Sequence, residues 1–348
     1  MSIFEQQIID SFQKSIVRIT DEFLEPPIMI QVCSSDSIIG TLGNFSASTG
    51  KAKSRKTFNV ISIVAAALSG KQVLQYKVQI PEKRRKIIYV DTEQGKYHCH
   101  RLLKRIYKLI DYPEAKIHDD IIFIALREFP TKDRINIIEY VLSKYGHEIS
   151  LLVIDGIRDL VFDINNATEA TDITNKLMKW SQELNIHIHT VLHLNKGDEN
   201  SRGHLGTELN NKAETILVVS KDITDSNYSI VTPKFIRDIE FDPFAFYIEE
   251  GIPKLNETFD LSNAHSKKAF DYHELSESTH RTVLEILFHE KDTSYSYSEL
   301  IPKIQSTYTD AGYSFGINKA KLLKTFLENK RMIIKEDKGY KYNPEFYY

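Results

Sequence analysis

Gly50-Lys51-Ala52-Lys53-Ser54-Arg55-Lys56-Thr57 is the stretch whose reading decides the fold. A short apolar segment, Leu42 to Ala47, precedes it, and an apolar run, Phe58 to Leu68, follows. Strand, tight loop and helix in that order are what a phosphate-binding loop requires. The spacing is that of the Walker A pattern, G-x-x-x-x-G-K-[ST], except that Arg55 stands where the second glycine belongs. Gly50 allows the sharp turn, and backbone N–H groups from Ala52 to Lys56 would point inward around a β-phosphate. The helix N-terminus adds its partial positive charge. Lys56 is placed for the β/γ oxygens and the Thr57 hydroxyl for Mg²⁺. Gly50, Lys51, Ala52, Lys53, Ser54, Arg55, Lys56 and Thr57 are therefore the candidate nucleotide contacts, with ATP and Mg²⁺ as the expected cofactors. Arg55 predicts an αR-compatible backbone at its position.

Outward from this loop the chain alternates. Pro81 to Lys86 leads into Ile87 to Val90, a buried-strand pattern, and a helix follows with Leu102, Leu103, Ile106, Leu109 and Ile110 on one face. Ile121 to Ala125, Leu151 to Ile154, His187 to His193 and Ile216 to Val219 read as further strands. Asp133 to Tyr145 and Ala170 to Leu184 read as helices. Strands alternating with helices imply an α/β fold with a mainly parallel sheet covered on both faces. Tyr228 to Thr232 and Phe244 to Ile248 read as later, antiparallel strands. Upstream, Ile3 to Ile16 has helical apolar spacing, and Glu25-Pro26-Pro27 breaks the chain before the extended Ile28 to Val32.

Four segments follow from this pattern: an N-terminal helix (1–24), an α/β core (25–251), a linker (252–273) and a C-terminal module (274–348). The linker assignment rests on Pro253, Asn256, Ser262, Asn263 and Ser266 with weak periodicity. Beyond it, Thr279 to Phe288, Ser298 to Thr307 and Asn318 to Asn329 read as helices, and Met332 to Tyr342 as a hairpin. That is a winged-helix-like layout. Its third helix and wing carry a basic bias that includes Lys321 and Lys324, the candidate DNA contacts of this module.

Composition bounds the partners. The chain has 348 residues and a net charge of −3, so nucleic-acid binding requires a local patch and not a global field. The two cysteines, Cys33 and Cys99, make no disulfide framework. No apolar run is long enough for a membrane span and the N-terminus lacks a signal-peptide layout, so a cytoplasmic location is expected.

Two acidic positions carry the chemistry. Asp155 ends the run Leu151-Leu152-Val153-Ile154-Asp155, which puts a carboxylate at the ligand edge of a parallel sheet. Beside a phosphate-binding loop this is the Walker B position, a second metal contact with Thr57. Glu93, in Val90-Asp91-Thr92-Glu93-Gln94, lies just past a strand and is placed to polarise an attacking water. Asp91 competes for that role, but Gln94 three residues later also suits Asp91 to a capping box. His187, His189 and His193 share one strand face, which raises a zinc site, but no cysteine or further spaced ligand supports it. The His98-Cys99-His100 run is weaker still, because adjacent helical residues diverge.

The order of these motifs, with Val-Asp-Thr-Glu, Leu-Leu-Val-Ile-Asp and Leu-His-Leu-Asn after the loop, resembles the RecA-like P-loop ATPases (AAA family in the broad sense). Within them it looks most like RepA/RadA-type replicative helicases and recombination ATPases of plasmids and mobile elements. Arg202 to Thr215 looks like the segment after the mobile DNA-binding loop of such proteins. The resemblance implies a RecA-like core, ATP held between subunits of a homo-oligomer such as a hexameric ring, and single-stranded DNA as partner, with a primase or other replication protein possible beside it. It implies Glu93 as catalytic base, His193 as the polar sensor of the γ-phosphate, and a cation from the neighbouring subunit. Arg237 is the candidate for that cation, although Lys234-Phe235-Ile236-Arg237 departs from the family's Lys-x-Arg spacing; Arg202 and Lys196 are rivals. Lys196 and Arg202 also belong to a glycine-containing segment suited to a DNA-contacting pore loop, and residues 159–168 are a second candidate loop. The function so implied is a DNA-dependent, ATP-hydrolysing motor, most simply a DNA helicase. A recombination ATPase and a nucleotide-gated DNA-binding regulator are the alternatives.

Overall fold

The computed structural model describes residues 3–194, 203–223, 225–259, 272–273, 275–289, 293–313, 315–336 and 339–346. In chain order the elements are α1 (Ile3–Ser15), β1 (Ile28–Val32), β2 (Ile38–Thr41), β3 (Phe45–Gly50), α2 (Lys56–Ser69), β4 (Tyr76–Val78), β5 (Lys86–Asp91) and α3 (Lys96–Leu109). Then come β6 (Ile121–Ala125), α4 (Thr131–Tyr145), β7 (Ile149–Asp155), α5 (Ala167–Leu184), β8 (His187–His193), α6 (Gly203–Lys212), β9 (Thr215–Lys221), β10 (Tyr228–Ile236), β11 (Phe244–Glu249) and β12 (Ile252–Asn256). The last are α7 (Glu277–Leu287), α8 (Tyr297–Asp310), α9 (Ile317–Asn329), β13 (Ile333–Glu336) and β14 (Gly339–Tyr342). The chain divides into two compact units, Met1–Leu261 and Ser262–Tyr348.

In the first unit, nine strands of the described residues form one sheet in the order β12-β11-β10-β9-β3-β8-β7-β5-β6. The strands from β9 to β6 in that order run parallel, and β10, β11 and β12 add antiparallel at one edge. This is a RecA-like α/β core. One apolar cluster packs α2 and α3 on one side of the sheet, and a second packs α4, α5 and α6 on the other. Covering both faces explains why β3 and β7 are buried along their whole length. Because the central strands are parallel, their carboxyl ends share an edge. Gly50, Asp91, Asp155 and His193 all close a strand at that edge.

The sequence expectation needs adjustment at three places. Residues Ile252–Asn256 are not linker: they pair along β11 as an edge strand, with Ile252 buried. A local Pro253 is compatible with that, since an edge strand leaves one row of backbone groups unpaired. A small separate sheet, β2-β1-β4, was not legible as such, because β2 and β4 are only four and three residues long. Helix α1 forms as its periodicity predicts, yet Phe4, Ile8, Ile9 and Phe12 of its apolar stripe are exposed. Among the described residues no helix is long and apolar enough to cross a membrane.

The second unit has its own core, in which Leu284, Leu300, Ile304, Tyr308, Leu323, Leu327 and Met332 pack together. The side chain of Ser276 accepts the Thr279 N–H at the start of α7, and Ser296 with Glu299 makes a capping box at the start of α8. Strands β13 and β14 pair as a hairpin, and Tyr295 bridges to Tyr340 beside it.

A buried polar relay ties β3 to β8 and α2. The Nδ1–H of His187 donates to Thr41 O at 2.9 Å, so its Nε2 accepts from the Ser46 hydroxyl at 2.7 Å. Ser46 Oγ accepts in turn from His189 Nδ1 at 2.8 Å, and Ser48 donates to His189 Nε2 at 2.9 Å. Asn59 of α2 reaches Ser48 at a long 3.5 Å, and the Tyr76 hydroxyl donates to Asn59 Oδ1 at 2.8 Å. Burial pulls His187 down to about 4 and His189 to about 3, so both rings are neutral at pH 7, as the relay requires. Ser46→Ala would leave two buried ring nitrogens without a partner. It is expected to destabilise the protein by about 1–3 kcal/mol, read as a lower urea midpoint at unchanged slope.

Candidate active site

The loop from Lys51 to Arg55 joins β3 to α2 at the carboxyl edge of the sheet. Gly50 is required there by close approach: a Cβ on it would lie 2.2 Å from Val219 O and 2.7 Å from Ser54 Oγ. Lys56 opens α2 and is 5 % exposed. Its Nζ donates to Gly50 O at 2.8 Å and Lys51 O at 2.9 Å, two carbonyls of its own loop. Burial lowers its pKa to about 8, against the pull of Asp155 and Glu93. The Ser54 hydroxyl is buried in this loop with no hydrogen-bond partner. An orphaned donor beside a buried lysine at a helix N-terminus fits a phosphate group.

Arg55 departs from expectation. It is in the left-handed region, with φ 72° and ψ 28°, and so takes the conformation for which the pattern has glycine. Its guanidinium donates to Asn227 O and, at 3.4 Å, to Ser229 Oγ, at the start of β10. The side chain therefore clips the loop to the neighbouring strand, and that tether offsets backbone strain.

Thr57 and Asp155 meet as expected of the metal-ligand candidates. Thr57 Oγ1 donates to Asp155 Oδ2 at 3.0 Å, and the Tyr89 hydroxyl donates to the same oxygen at 2.8 Å. Among the described residues no group of three or more His, Cys, Asp or Glu side chains could hold a metal ion alone. A hydroxyl and one carboxylate are the donor set that suits Mg²⁺, which takes its remaining oxygens from water and phosphate. Tyr89 was not singled out from the sequence, because a tyrosine in a buried strand has no spacing signal for this role.

Asp91 and Glu93 separate cleanly. Asp91 is fully buried; its Oδ1 accepts Glu93 N–H at 3.0 Å and Gln94 N–H at 2.7 Å, and its Oδ2 accepts Gln94 Nε2 at 2.9 Å. It holds the turn. Glu93 Oε1 instead lies 3.2 Å from His193 Nε2, while His193 Nδ1 lies 3.0 Å from Lys56 Nζ. With the lysine ammonium donating to Nδ1, the ring carries its proton on Nε2 and donates it to Glu93. That bond, with the charges of Lys56 and Arg158, holds the Glu93 carboxyl below its usual range. Thr92 supports the turn by donating to Gly156 O at 2.8 Å. Gly156, at φ 104°, is needed there: a Cβ would lie 2.3 Å from Thr92 Oγ1 and 2.9 Å from Glu93 Cγ.

Other candidates fall elsewhere. The ring nitrogens of His187 and His189 are taken up by Thr41, Ser46 and Ser48 in the core. Arg237 follows β10, which runs antiparallel to β9, so it lies at the edge of the sheet opposite Gly50; it donates to Lys212 O at 3.3 Å. It takes no part in the site of its own chain. Lys196 and Arg202 lie outside the described residues. Lys324 is only 7 % exposed, pairs with Glu328 at 2.6 Å and lies over the Tyr340 ring at 4.6 Å, so it packs within the module and presents no charge outward. Lys321 is exposed.

Two outcomes are expected. Burial pushes the Asp155 carboxyl from an ordinary 3.8 up to about 6. The native state thus holds this proton more tightly than the unfolded chain, and the stability so contributed is present below pH ~4 and lost as pH rises through ~6. Asp155→Asn, which keeps an acceptor but no charge, is expected to stabilise the metal-free protein by about 1–3 kcal/mol at pH 7.5 and not at pH 4, in urea unfolding. Arg55→Ala loses the clip and keeps the strained backbone, whereas Arg55→Gly loses only the clip. The glycine variant should be the more stable by about 0.5–1 kcal/mol.

Residues 35–199 match the family model of the AAA domain. No curated protein matches the chain. The matched segment contains the loop, Glu93, Asp155 and His193, and the match, the fold and the donor geometry around these residues support a P-loop ATPase domain.

Proposed function

We propose that this protein hydrolyses ATP with Mg²⁺ and couples the reaction to movement along DNA, as a RepA-like helicase working as a hexameric ring. The observation that carries the ATPase half is the line Lys56–His193–Glu93 beside the Thr57–Asp155 pair. In this reading Lys56 leaves the carbonyls of Gly50 and Lys51 for phosphate oxygens. Glu93, ionised, orients and polarises the attacking water, and His193 reports the occupancy of the lysine to the glutamate. When bound, Mg²⁺ neutralises charge on the phosphates. Its holders are Thr57 and Asp155.

The DNA half rests on the RecA-like strand order and on the resemblance to RepA/RadA-type proteins. The second unit supports it with three helices, a hairpin and an exposed Lys321, the arrangement expected of a winged-helix-like module. In a ring Arg237 would act, if at all, at a neighbour's site, which suits its place away from the site of its own chain. A recombination ATPase such as a RadA-like protein uses the same chemistry on a filament. A nucleotide-gated DNA-binding regulator is favoured by one observation: the loop is strained at Arg55, and its lysine is already satisfied by its own carbonyls.

The deciding measurement is ATP turnover with and without single-stranded DNA. DNA-stimulated turnover is expected, abolished in Lys56→Ala and lowered by about 10²–10⁴-fold in Glu93→Gln, with ATP binding kept in the latter. Binding without turnover under either condition would favour the regulator. Absence of binding would overturn the phosphate-loop assignment.

A further inference from the structure

Tyr89 of β5 is fully buried, so its hydroxyl needs a partner inside the protein. Strand register supplies one. Tyr89 pairs with Val153 of β7 and Asp91 with Asp155, so Tyr89 and Asp155 are diagonal neighbours on one face of the sheet. This is the face that α2 covers, since Tyr89 and Val153 share an apolar cluster with Val60, Ile61 and Val64. The tyrosine ring is fixed in turn by Phe123 of β6, stacked on it with 4.3 Å between centroids and 11° between planes.

The Asp155 carboxylate is gripped on one oxygen only. Thr57 donates to Oδ2 from the first turn of α2, at 3.0 Å, and Tyr89 donates to the same atom from the sheet, at 2.8 Å. Among the described residues Oδ1 accepts no hydrogen bond. Two donors from opposite sides therefore fix how the carboxylate is turned, and Oδ1 is the oxygen that Asp155 can offer to a cation. Thr57 is itself a candidate ligand. Once a cation engages that hydroxyl, Tyr89 is the donor that still keeps the carboxylate from turning.

We infer that Tyr89 is a positioning residue that makes this site prefer Mg²⁺ to Ca²⁺. The inference rests on the ATPase reading and adds to it the choice of cation. Ca²⁺ takes more oxygens than Mg²⁺ and readily accepts both oxygens of one carboxylate; Mg²⁺ demands an octahedron and keeps several of its waters. A carboxylate with Oδ2 tied to two donors presents a single oxygen in a fixed direction. That suits Mg²⁺ and denies Ca²⁺ a two-oxygen grip. A hydrogen bond behind a metal-binding carboxylate thus acts on which ion is held as well as on how tightly.

The test is titration calorimetry of ADP on the full chain in Mg²⁺, in Ca²⁺ and in EDTA, which gives the gain in ADP affinity due to each cation. Wild type should gain more from Mg²⁺ than from Ca²⁺. Tyr89→Phe, which removes only the hydroxyl, should lower the Mg²⁺ gain about tenfold and leave the Ca²⁺ gain and the metal-free affinity within about twofold. Equal loss with both cations, or no loss with either, would make Tyr89 a structural support and overturn the inference. A wild type without preference for Mg²⁺ would overturn it too. Should Tyr89→Phe not fold, Phe123→Leu removes the stack and keeps the hydroxyl; it should lower the Mg²⁺ gain selectively, and no selective loss there would overturn the inference. ADP binding that no cation improved would remove the metal pair, and this inference with it, while nucleotide binding stood. If ADP did not bind under any of the three conditions, the ATPase reading itself would fall.

Discussion

The structure depends on β3, a strand buried along its whole length that must carry polar side chains through the middle of a sheet. Ser46, Ser48 and Thr49 are all out of reach of water. Left unpaired, each hydroxyl would cost about 1–3 kcal/mol of stability. Thr49 donates to Leu217 O of β9, and Ser46 and Ser48 are paired by the histidines of β8, whose rings are held neutral by burial and pass one consistent line of hydrogen bonds from Thr41 to Ser48. Position and register of β3 against β8 are thereby set. With them are set Gly50 and His193, which pair across the two strands at their carboxyl ends.

From that register the site assembles with few degrees of freedom. Asp91 and Asp155 are cross-strand neighbours, yet they do different work because their surroundings differ. Asp91 is surrounded by N–H donors and closes a turn. Asp155 faces the hydroxyls of Thr57 and Tyr89, and burial raises its pKa. Lys56 is in the mirror condition, a buried ammonium held by carbonyls. Each is poorly placed alone. In the proposed reading a magnesium-bound phosphate would relieve both.

Much of this was legible in advance, for reasons of spacing. The glycine-to-lysine interval of the loop, the apolar run ending in Asp155 and the acidic turn after β5 each follow from local rules of strand, turn and helix. The parallel core followed from the alternation alone. The choice of Glu93 over Asp91 rested on the Gln94 spacing and the resemblance, and the fold supplies its physical reason. Both are acids just past a buried strand, and only the N–H groups converging on Asp91 and the ring nitrogen facing Glu93 tell them apart. Lys324 misled for a similar reason. A lysine in a basic helix looks outward-facing in one dimension, but this one lies among Tyr297, Tyr340 and Glu328.

By itself, then, the sequence determined which residues could form a phosphate loop, where the buried strands begin and end, and that the core is α/β. Those properties depend on neighbours within a few positions, through side-chain period and backbone freedom. Tertiary structure decided what no such window contains. Arg55 is tethered in a glycine's conformation by an acceptor 172 residues away, the Asn227 carbonyl just before β10. His193 links Lys56 to Glu93 because three parallel strands end at one edge. Arg237 stands apart from them because β10 reverses direction. Distances between remote segments set charge, strain and reach, and only the folded chain has those distances.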